Sequence, residues 1–314
     1  MYTNISDVGI LIDMKNIFLS MVIAPVLVFS LENTKKSPQD EYNYILSAYK
    51  HEQWNDVVAH KDITLKEFPN SPFISDIYYF TGVAYFNSRD YDLANYYFSM
   101  FLQKHPTPKY FEDAIVYKFR IAEQFELGAK RHIMGSKSLP MWSSAYEDAL
   151  SIYDDVIATI PSHDVAAKAL FNKARMLAKD EKYKESIDHL RILIKRFPKH
   201  LLTPESYLAI AKVYLDEVRK DFVSIDFLDL ASINLKQFKS YFPLDSRVEE
   251  VAELYKIMQD YYAKDLWWSA VYYDKKNKSK SAIVYYQAIV NKYPQSKYAD
   301  DAAKRLSIIN SKHS

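Results

Sequence analysis

The side chains that could carry out acid–base or metal chemistry are scattered through this sequence without a catalytic spacing. The eight histidines stand at positions 51, 60, 105, 132, 163, 189, 200 and 313. No two of them lie four residues apart, so no helix face would present a pair of imidazoles to zinc. The acid pairs are adjacent in sequence and would point about 100° apart on a helix, which is typical of a solvated face; they are Asp154-Asp155, Glu249-Glu250 and Asp300-Asp301. We therefore expect no enzymatic activity, no metal site and no cofactor.

The amino-acid composition excludes further classes of protein. There is no cysteine, which rules out thiol nucleophiles, disulfides and cysteine-ligated metals. Only four glycines occur in 314 residues, against about 22 at average usage, and glycine-rich phosphate loops or many-stranded sandwiches need more. Lys and Arg number 41 and Asp and Glu 40, so the chain lacks the overall basic character of a nucleic-acid-binding protein.

A proline recurs after an apolar or aromatic residue at the end of successive amphipathic runs, which indicates helices that stop and turn back. The pairs are Phe68-Pro69, His105-Pro106 (a near relative), Ile160-Pro161, Phe197-Pro198, Phe242-Pro243 and Tyr293-Pro294. The prolines are 37, 55, 37, 45 and 51 residues apart. These spacings indicate a unit in the mid-thirties with insertions.

The unit resembles the 34-residue tetratricopeptide repeat, which has small and large residues at fixed positions and a closing proline. Residues 75–108 fit it closely, with Gly82 and Tyr85 on the first helix and Ala94, Phe98 and Pro106 on the second. Units ending at 198 and 294 fit similarly, and the others are looser. The sequence thus predicts an all-α solenoid of about six helical hairpins. Insertions fall at 132–141 and 222–228, a helical segment at 247–262 is continuous with the next helix, and a capping helix and tail occupy 295–314.

Large aromatic residues recur on the first helices at the fifth position of the repeat unit. They are Tyr42, Tyr79, Phe119, Phe171 and Trp267. In this architecture that position faces the concave side, and Leu46, Tyr49, Val83 and Phe86 continue the stripe. One interpretation is that these residues pack between neighbouring hairpins. The functional interpretation is an aromatic groove for an extended peptide, formed by Tyr42, Leu46, Tyr49, Tyr79, Val83, Phe86, Phe119 and Phe171.

The N-terminus carries the only long apolar run, residues 17–31, which is shorter than the roughly 20 residues of a spanning helix and contains Pro25. Met14 and Lys15 precede it. A start at Met14 would therefore give a signal peptide ending near Ser30, with residues 1–13 as an extension and 32–39 as a polar linker. The alternative is a buried or anchoring N-terminal helix.

Three stretches carry a closer resemblance. They are residues 41–58, with Trp54 opening a second helix; the junctions at 67–73, 195–198 and 292–298; and residues 266–306. Over about residues 40–310 the chain is similar to the BamD family, the tetratricopeptide component of the outer-membrane protein assembly machinery. The family's lipid-bearing cysteine is missing, because Ser30, Leu31 and Glu32 stand where it should follow the signal. A thioether-linked lipid is thus excluded, and membrane association would be indirect or through the N-terminal segment.

The resemblance implies a non-enzymatic periplasmic scaffold, peripherally associated with the outer membrane. Its implied partners are the barrel-inserting subunit, bound mostly by the C-terminal hairpins, and the aromatic C-terminal signals of nascent barrel proteins. We expect residues 40–161 to form an N-terminal half with the peptide groove and residues 162–294 a C-terminal half. Trp267, Val271, Lys275, Lys276 and Lys278 are the candidate partner-binding residues; a solvated turn is the alternative for the lysines.

Two other functions stay open. One is a different periplasmic tetratricopeptide adaptor, for envelope or cell-division coordination; the missing lipid cysteine favours it, whereas the absence of a sustained heptad pattern before Asp40 does not. The other is a cytoplasmic tetratricopeptide chaperone, which follows if residues 17–31 are not an export signal. The sequence identifies neither the client nor the oligomeric state.

Overall fold

The computed structural model describes residues 37–104, 108–132, 140–220 and 226–313, and these ranges contain thirteen helices and two short strands. The helices are α1 Pro38–Lys50, α2 Trp54–Glu67, α3 Ile74–Asn87, α4 Tyr91–Gln103, α5 Pro108–Glu126, α6 Tyr146–Thr159, α7 Asp164–Lys179, α8 Tyr183–Arg196, α9 Leu202–Lys220, α10 Asp226–Tyr241, α11 Arg247–Lys275, α12 Ser279–Lys292 and α13 Ala299–His313. None of the described helices has an apolar stretch long enough to cross a bilayer.

The helices pair into six hairpins, α1–α2 through α11–α12, and α13 packs on α12 as the closing helix. Each second helix also contacts the first helix of the next hairpin, and the first helices α1, α3, α5, α7 and α9 contact one another in turn. The predicted all-α solenoid of six hairpins with a cap is confirmed. The predicted continuity across 247–262 is also present, because α11 runs unbroken for 29 residues.

Prolines follow five of the six second helices, as their spacing predicts, and the predicted pair His105-Pro106 lies outside the described residues. α2, α6, α8, α10 and α12 each stop one residue before a residue-proline pair. The proline ring disfavours the helical conformation of the residue before it, because the two clash; Phe68, for example, has φ −130° and ψ 54°. Its N–H still donates to the Thr64 carbonyl, 2.9 Å away, which completes the last turn.

The turns inside the hairpins explain how a chain with few glycines reverses direction. Glu52, Arg89, Glu181 and Asn277 occupy the left-handed region, with φ between 53° and 63°. They lie between the two helices of the first, second, fourth and sixth hairpins. In the third hairpin Gly128 takes this role with φ 98°. Side chains in this region cost conformational energy, which the packed helices on either side offset.

The two ends of the insertion in the third hairpin pair with each other as a short two-stranded sheet. β1, Arg131–His132, pairs antiparallel with β2, Met141–Ser143. The sequence gives no sign of these strands, since two or three residues are too few to show an alternating pattern. The predicted apolar N-terminal run and most of the polar linker lie outside the described residues, as do parts of both predicted insertions.

Candidate functional site

A groove follows the C-terminal half of α7, between the end of α5 and the middle of α9, and has a volume of about 740 Å³. We call it the α7 cavity. Residues from the first turn of α6 and from α8 complete its wall. Its apolar lining is Leu127, Ala174, Met176, Leu190, Ala209 and Val213. The volume is in the range of sites that bind an organic ligand or a few side chains of a peptide.

Charged side chains of both signs surround this apolar floor: Glu126, Arg175, Lys179, Asp180, Lys212 and Asp216. Arg175 donates to Glu126 at 2.9 Å, and Lys212 lies 3.1 Å from Glu250. Lys179 forms no ion pair with any residue in the described ranges. It is therefore the cation at this rim that could meet a negative group on a ligand.

Buried hydroxyl groups brace the cavity wall. The Tyr153 hydroxyl donates to the other carboxylate oxygen of Glu126 at 2.9 Å, and the Tyr146 hydroxyl donates to the Met176 carbonyl at 3.2 Å. Burial raises the pKa of Tyr146, with the nearby charge of Asp180 adding to the effect, so this phenol stays protonated as a donor. These bonds fix α5, α6 and α7 relative to one another around the cavity.

The predicted N-terminal groove is mostly filled by its own neighbours. Tyr79, Val83 and Phe119 are buried, with 3%, 2% and 7% of their surfaces exposed. The Tyr79 ring stacks on Tyr110 with centroids 4.3 Å apart, and Phe119 lies 5.8 Å from Tyr153. In the folded chain these three side chains pack between hairpins, which is the alternative that the sequence left open.

The other five predicted groove residues are half-buried. Tyr42 stacks on Phe73 at 4.4 Å and its hydroxyl donates to Asp76 at 3.3 Å. Tyr49 packs on Phe80 at 4.5 Å. The remaining three are Leu46, Phe86 and Phe171, which also pack against the core. Only the partly exposed edges of these side chains are available to a ligand.

Three of the five predicted partner-binding residues meet at the C-terminal end. Trp267, Val271 and Lys275 on α11 line a second cavity of about 390 Å³ together with α12 and α13. Trp267 stacks on Tyr298 at 5.6 Å. Lys276 and Lys278 are exposed in the α11–α12 turn but do not line this cavity. The structure thus divides the predicted set into a cavity wall and a solvated turn.

The closing helix is fastened to this second cavity by an ion pair. Arg305 on α13 donates through Nε and Nη2 to the two carboxylate oxygens of Asp274, and the Tyr286 hydroxyl donates to Asp274 at 3.4 Å. A bidentate guanidinium–carboxylate pair fixes orientation as well as distance. The pair therefore holds α13 beside Trp267 and Val271.

Sequence reasoning missed one group of metal-ligating side chains. Asp90, Asp92 and His132 bring one ligand atom each to within 4.8 Å of one another. A search for paired histidines on one helix could not find it, because His132 arrives from the insertion, 40 residues after Asp92. The only sequence signal is the Asp-x-Asp at the start of α4. The expectation of no metal site stays a prediction, because three neighbouring side chains do not by themselves show that an ion is bound.

Comparisons with known protein families identify the same repeat that the sequence pattern predicts. One family model, described as tetratricopeptide repeat, matches residues 154–306, and a second with the same description matches residues 77–108. No curated protein matches the sequence significantly.

Among solved structures, a tetratricopeptide-repeat protein from Bacteroides fragilis NCTC 9343 is 11% identical, the match covering 87% of this chain and 99% of that one, with a TM-score of 0.41. MamA from Desulfovibrio magneticus RS-1 is 14% identical over 69% of this chain and 95% of that one, with a TM-score of 0.37. The TPR2AB domain of yeast Sti1, in a complex with pHSP90, is 17% identical over 70% and 84%, with a TM-score of 0.28. At these identities the likeness does not extend beyond the fold.

One conclusion about the fold class follows from the six hairpins, the closing helix and the two regions matched by family models. Stacked helical repeats expose continuous surfaces on which other proteins bind, and their stability comes from contacts between neighbouring units. The chain is an all-α solenoid of tetratricopeptide repeats, the architecture of a protein-interaction scaffold.

Proposed function

We propose that this chain is a non-enzymatic adaptor that binds a short segment of another protein in the α7 cavity. The observation that carries this proposal is an exposed apolar side chain at the edge of the cavity: Leu127 is 80% exposed, although it lies beside the apolar residues of the floor. An apolar side chain of a partner would remove this surface from water, with a gain of roughly 2 kcal/mol for a large residue.

The rim favours a segment that ends in an aromatic residue with a free carboxylate. The ring would lie against Leu127, and Lys179 would meet the carboxylate, since Lys179 has no carboxylate partner among the described residues. Arg175 and Lys212 are already paired within the protein. This chemistry matches the aromatic C-terminal signals of outer-membrane barrel proteins that the BamD resemblance implies as clients.

The experiment is a fluorescence anisotropy titration of the protein with a labelled barrel-protein C-terminal peptide that ends in Phe. We expect a Kd in the micromolar range, about 8 kcal/mol of binding free energy. Removal of the terminal Phe should weaken binding about tenfold or more. Leu127→Asp should do the same, whereas Leu244→Asp, at a residue that is 98% exposed and does not line the cavity, should not. Equal binding of the shortened peptide would remove client recognition from the proposal.

The cellular setting is proposed from the resemblance and from the apolar N-terminal run. We place the protein in the periplasm at the outer membrane, where the second cavity, beside Trp267, Val271 and Lys275, would bind the barrel-inserting subunit. Lys275→Glu should weaken capture of that subunit, while Lys276→Glu, one residue away in the turn, should leave it unchanged. If both variants capture it equally, the second cavity is not the contact.

N-terminal sequencing of the mature protein from a fractionated envelope tests the location. A start near Leu31 in the periplasmic or outer-membrane fraction supports export. An intact Met1 in the cytosolic fraction would contradict it and would favour the cytoplasmic chaperone. A periplasmic protein that binds neither the barrel-inserting subunit nor the peptide would favour the envelope-coordination adaptor.

A further inference from the structure

The group formed by Asp90, Asp92 and His132 connects two hairpins that the chain separates. Asp90 is the N-cap residue of α4 and Asp92 lies in its first turn, whereas His132 ends β1 in the insertion of the next hairpin. The backbone N–H of His132 donates to Asp92 Oδ2 at 2.9 Å. Its Nε2 lies 3.3 Å from Asp90 Oδ1 and 3.9 Å from Asp92 Oδ1. The same Nε2 is hydrogen-bonded to Asp90 Oδ2 at 3.3 Å, so one imidazole nitrogen faces both carboxylates.

The two carboxylate oxygens that face His132 lack hydrogen-bond donors. Oδ1 of Asp90 and Oδ1 of Asp92 are buried atoms that accept no hydrogen bond. The side chains of Asp90, Asp92 and His132 are only 16%, 18% and 10% exposed. Burial of a carboxylate oxygen without a donor or cation is costly. Two such oxygens directed at one point indicate a missing positive charge.

Among the described residues, only His132, and only when it is protonated, pairs with these two carboxylates. Arg131 precedes His132, but its Nη1 donates to Asp148 at 3.0 Å. The side chain of Asp90 makes no capping bond to the first N–H groups of α4, although aspartate at this position commonly does.

Two carboxylate oxygens and one imidazole nitrogen form a ligand set with known preferences. Imidazole suits zinc and other divalent transition metals, whereas calcium and magnesium take oxygen ligands alone. Zinc sites with three protein ligands keep a fourth position for water. We propose that Asp90, Asp92 and His132 bind a divalent transition-metal ion, with Zn²⁺ as the best fit, and that the ion fastens the insertion of the third hairpin to the start of α4.

The bound ion has a structural effect rather than a catalytic one. It replaces the repulsion between two facing carboxylates by two metal–oxygen bonds, and it connects β1 to the second hairpin across 40 residues of sequence. Because the ion binds the folded chain, it raises the unfolding temperature in proportion to the logarithm of the free metal concentration. The site is independent of the α7 cavity, so peptide binding and metal binding can fail separately.

The test is calorimetric titration of the full chain, first stripped with a chelator and carrying no affinity tag, with Zn²⁺. We expect one site per chain with a micromolar Kd or tighter, and a rise of about 5 °C in the unfolding temperature at a hundredfold excess over Kd. Asp92→Asn and His132→Gln should each weaken binding a hundredfold or more. His189→Gln, which removes a histidine that bonds within its own helix, should bind as the natural chain does. Ca²⁺ at the same concentration should give no rise.

Two results would overturn the proposal. One is the absence of both heat and thermal shift with Zn²⁺, Mn²⁺ and Ni²⁺. The other is binding that survives in Asp92→Asn and His132→Gln, which would place the ion elsewhere on the surface. Circular dichroism of the metal-free variants shows whether they fold; a variant that keeps the natural helical spectrum and binds no metal supports the site. If one variant does not fold, the other decides.

Discussion

The ring of Phe98 in α4 lies directly against the backbone of Gly82 in α3. A Cβ atom at position 82 would stand 2.9 Å from both Cδ1 and Cε1 of Phe98, inside van der Waals contact. Because position 82 carries no side chain, α3 and α4 approach closely and Phe98 is completely buried. This contact closes the hairpin that best matches the repeat pattern.

A side chain at position 82 should therefore loosen the second hairpin. Gly82→Val should lower the free energy of unfolding by about 3 kcal/mol, because the added methyl groups overlap the Phe98 ring. The measurement is urea unfolding followed by circular dichroism. In a Phe98→Ala background the same substitution should cost much less, since the ring is gone. Equal costs in the two backgrounds would show that the contact does not limit the packing.

The repeat register made this pair predictable, because the tetratricopeptide pattern places a small residue opposite a large one at each helix crossing. The register could not show whether the aromatic residues of the first helices face a ligand or pack between hairpins. Tyr79 has a position that can face a ligand, yet Tyr110 and Tyr117 of the next hairpin cover it. The periodicity of one helix does not report what the neighbouring helix places on top of it. The cluster of Asp90, Asp92 and His132 was harder still to predict, because the two-residue strand that carries His132 shows no alternating sequence pattern.

Tyr79 should accordingly behave as a core residue. Tyr79→Ala should lower the free energy of unfolding by about 4 kcal/mol, the usual cost of removing a buried aromatic ring. Tyr96, on the exposed side of α4 and 54% exposed, provides the matched control, and Tyr96→Ala should change stability by less than about 0.5 kcal/mol. Similar small effects at both positions would return Tyr79 to the list of groove residues.

Glu123, which lies near the α7 cavity, should make the free energy of unfolding depend on pH. Burial raises its pKa above the ordinary value of 4.5, and the charge of Glu126 raises it further. The raised pKa means that ionisation of Glu123 destabilises the folded chain. This loss of stability is absent when the pH is below the pKa of Glu123 in the unfolded chain, and it develops as the pH rises through the pKa in the folded chain. Glu123→Gln should therefore be more stable than the natural chain at pH 7.

The difference should shrink as pH falls and should vanish below about pH 4, where the natural carboxyl is protonated in both states. Thermal unfolding between pH 3.5 and 7.5 measures it. Glu253→Gln, at an exposed position on α11, serves as the control. A gain at pH 7 that persists unchanged at pH 3.5 would show that the effect is not ionisation.

The left-handed residues in the hairpin turns offer a route to higher stability. Glu52 has φ 57° and an exposed side chain, so its conformation costs energy, and its carboxylate forms no ion pair with any described residue that would offset this cost. Glycine adopts this φ freely, although it gains more entropy on unfolding. The balance should leave Glu52→Gly about 0.5 kcal/mol more stable than the natural chain.

The same exchange inside a helix should have the opposite sign. Glu253→Gly in the middle of α11 should lose about 1 kcal/mol, because glycine is a poor helix former and no left-handed conformation is relieved. Urea unfolding of the two variants side by side separates backbone conformation from loss of the glutamate side chain. If Glu52→Gly is destabilised as much as Glu253→Gly, the turn conformation does not cost the folded chain what its φ angle implies.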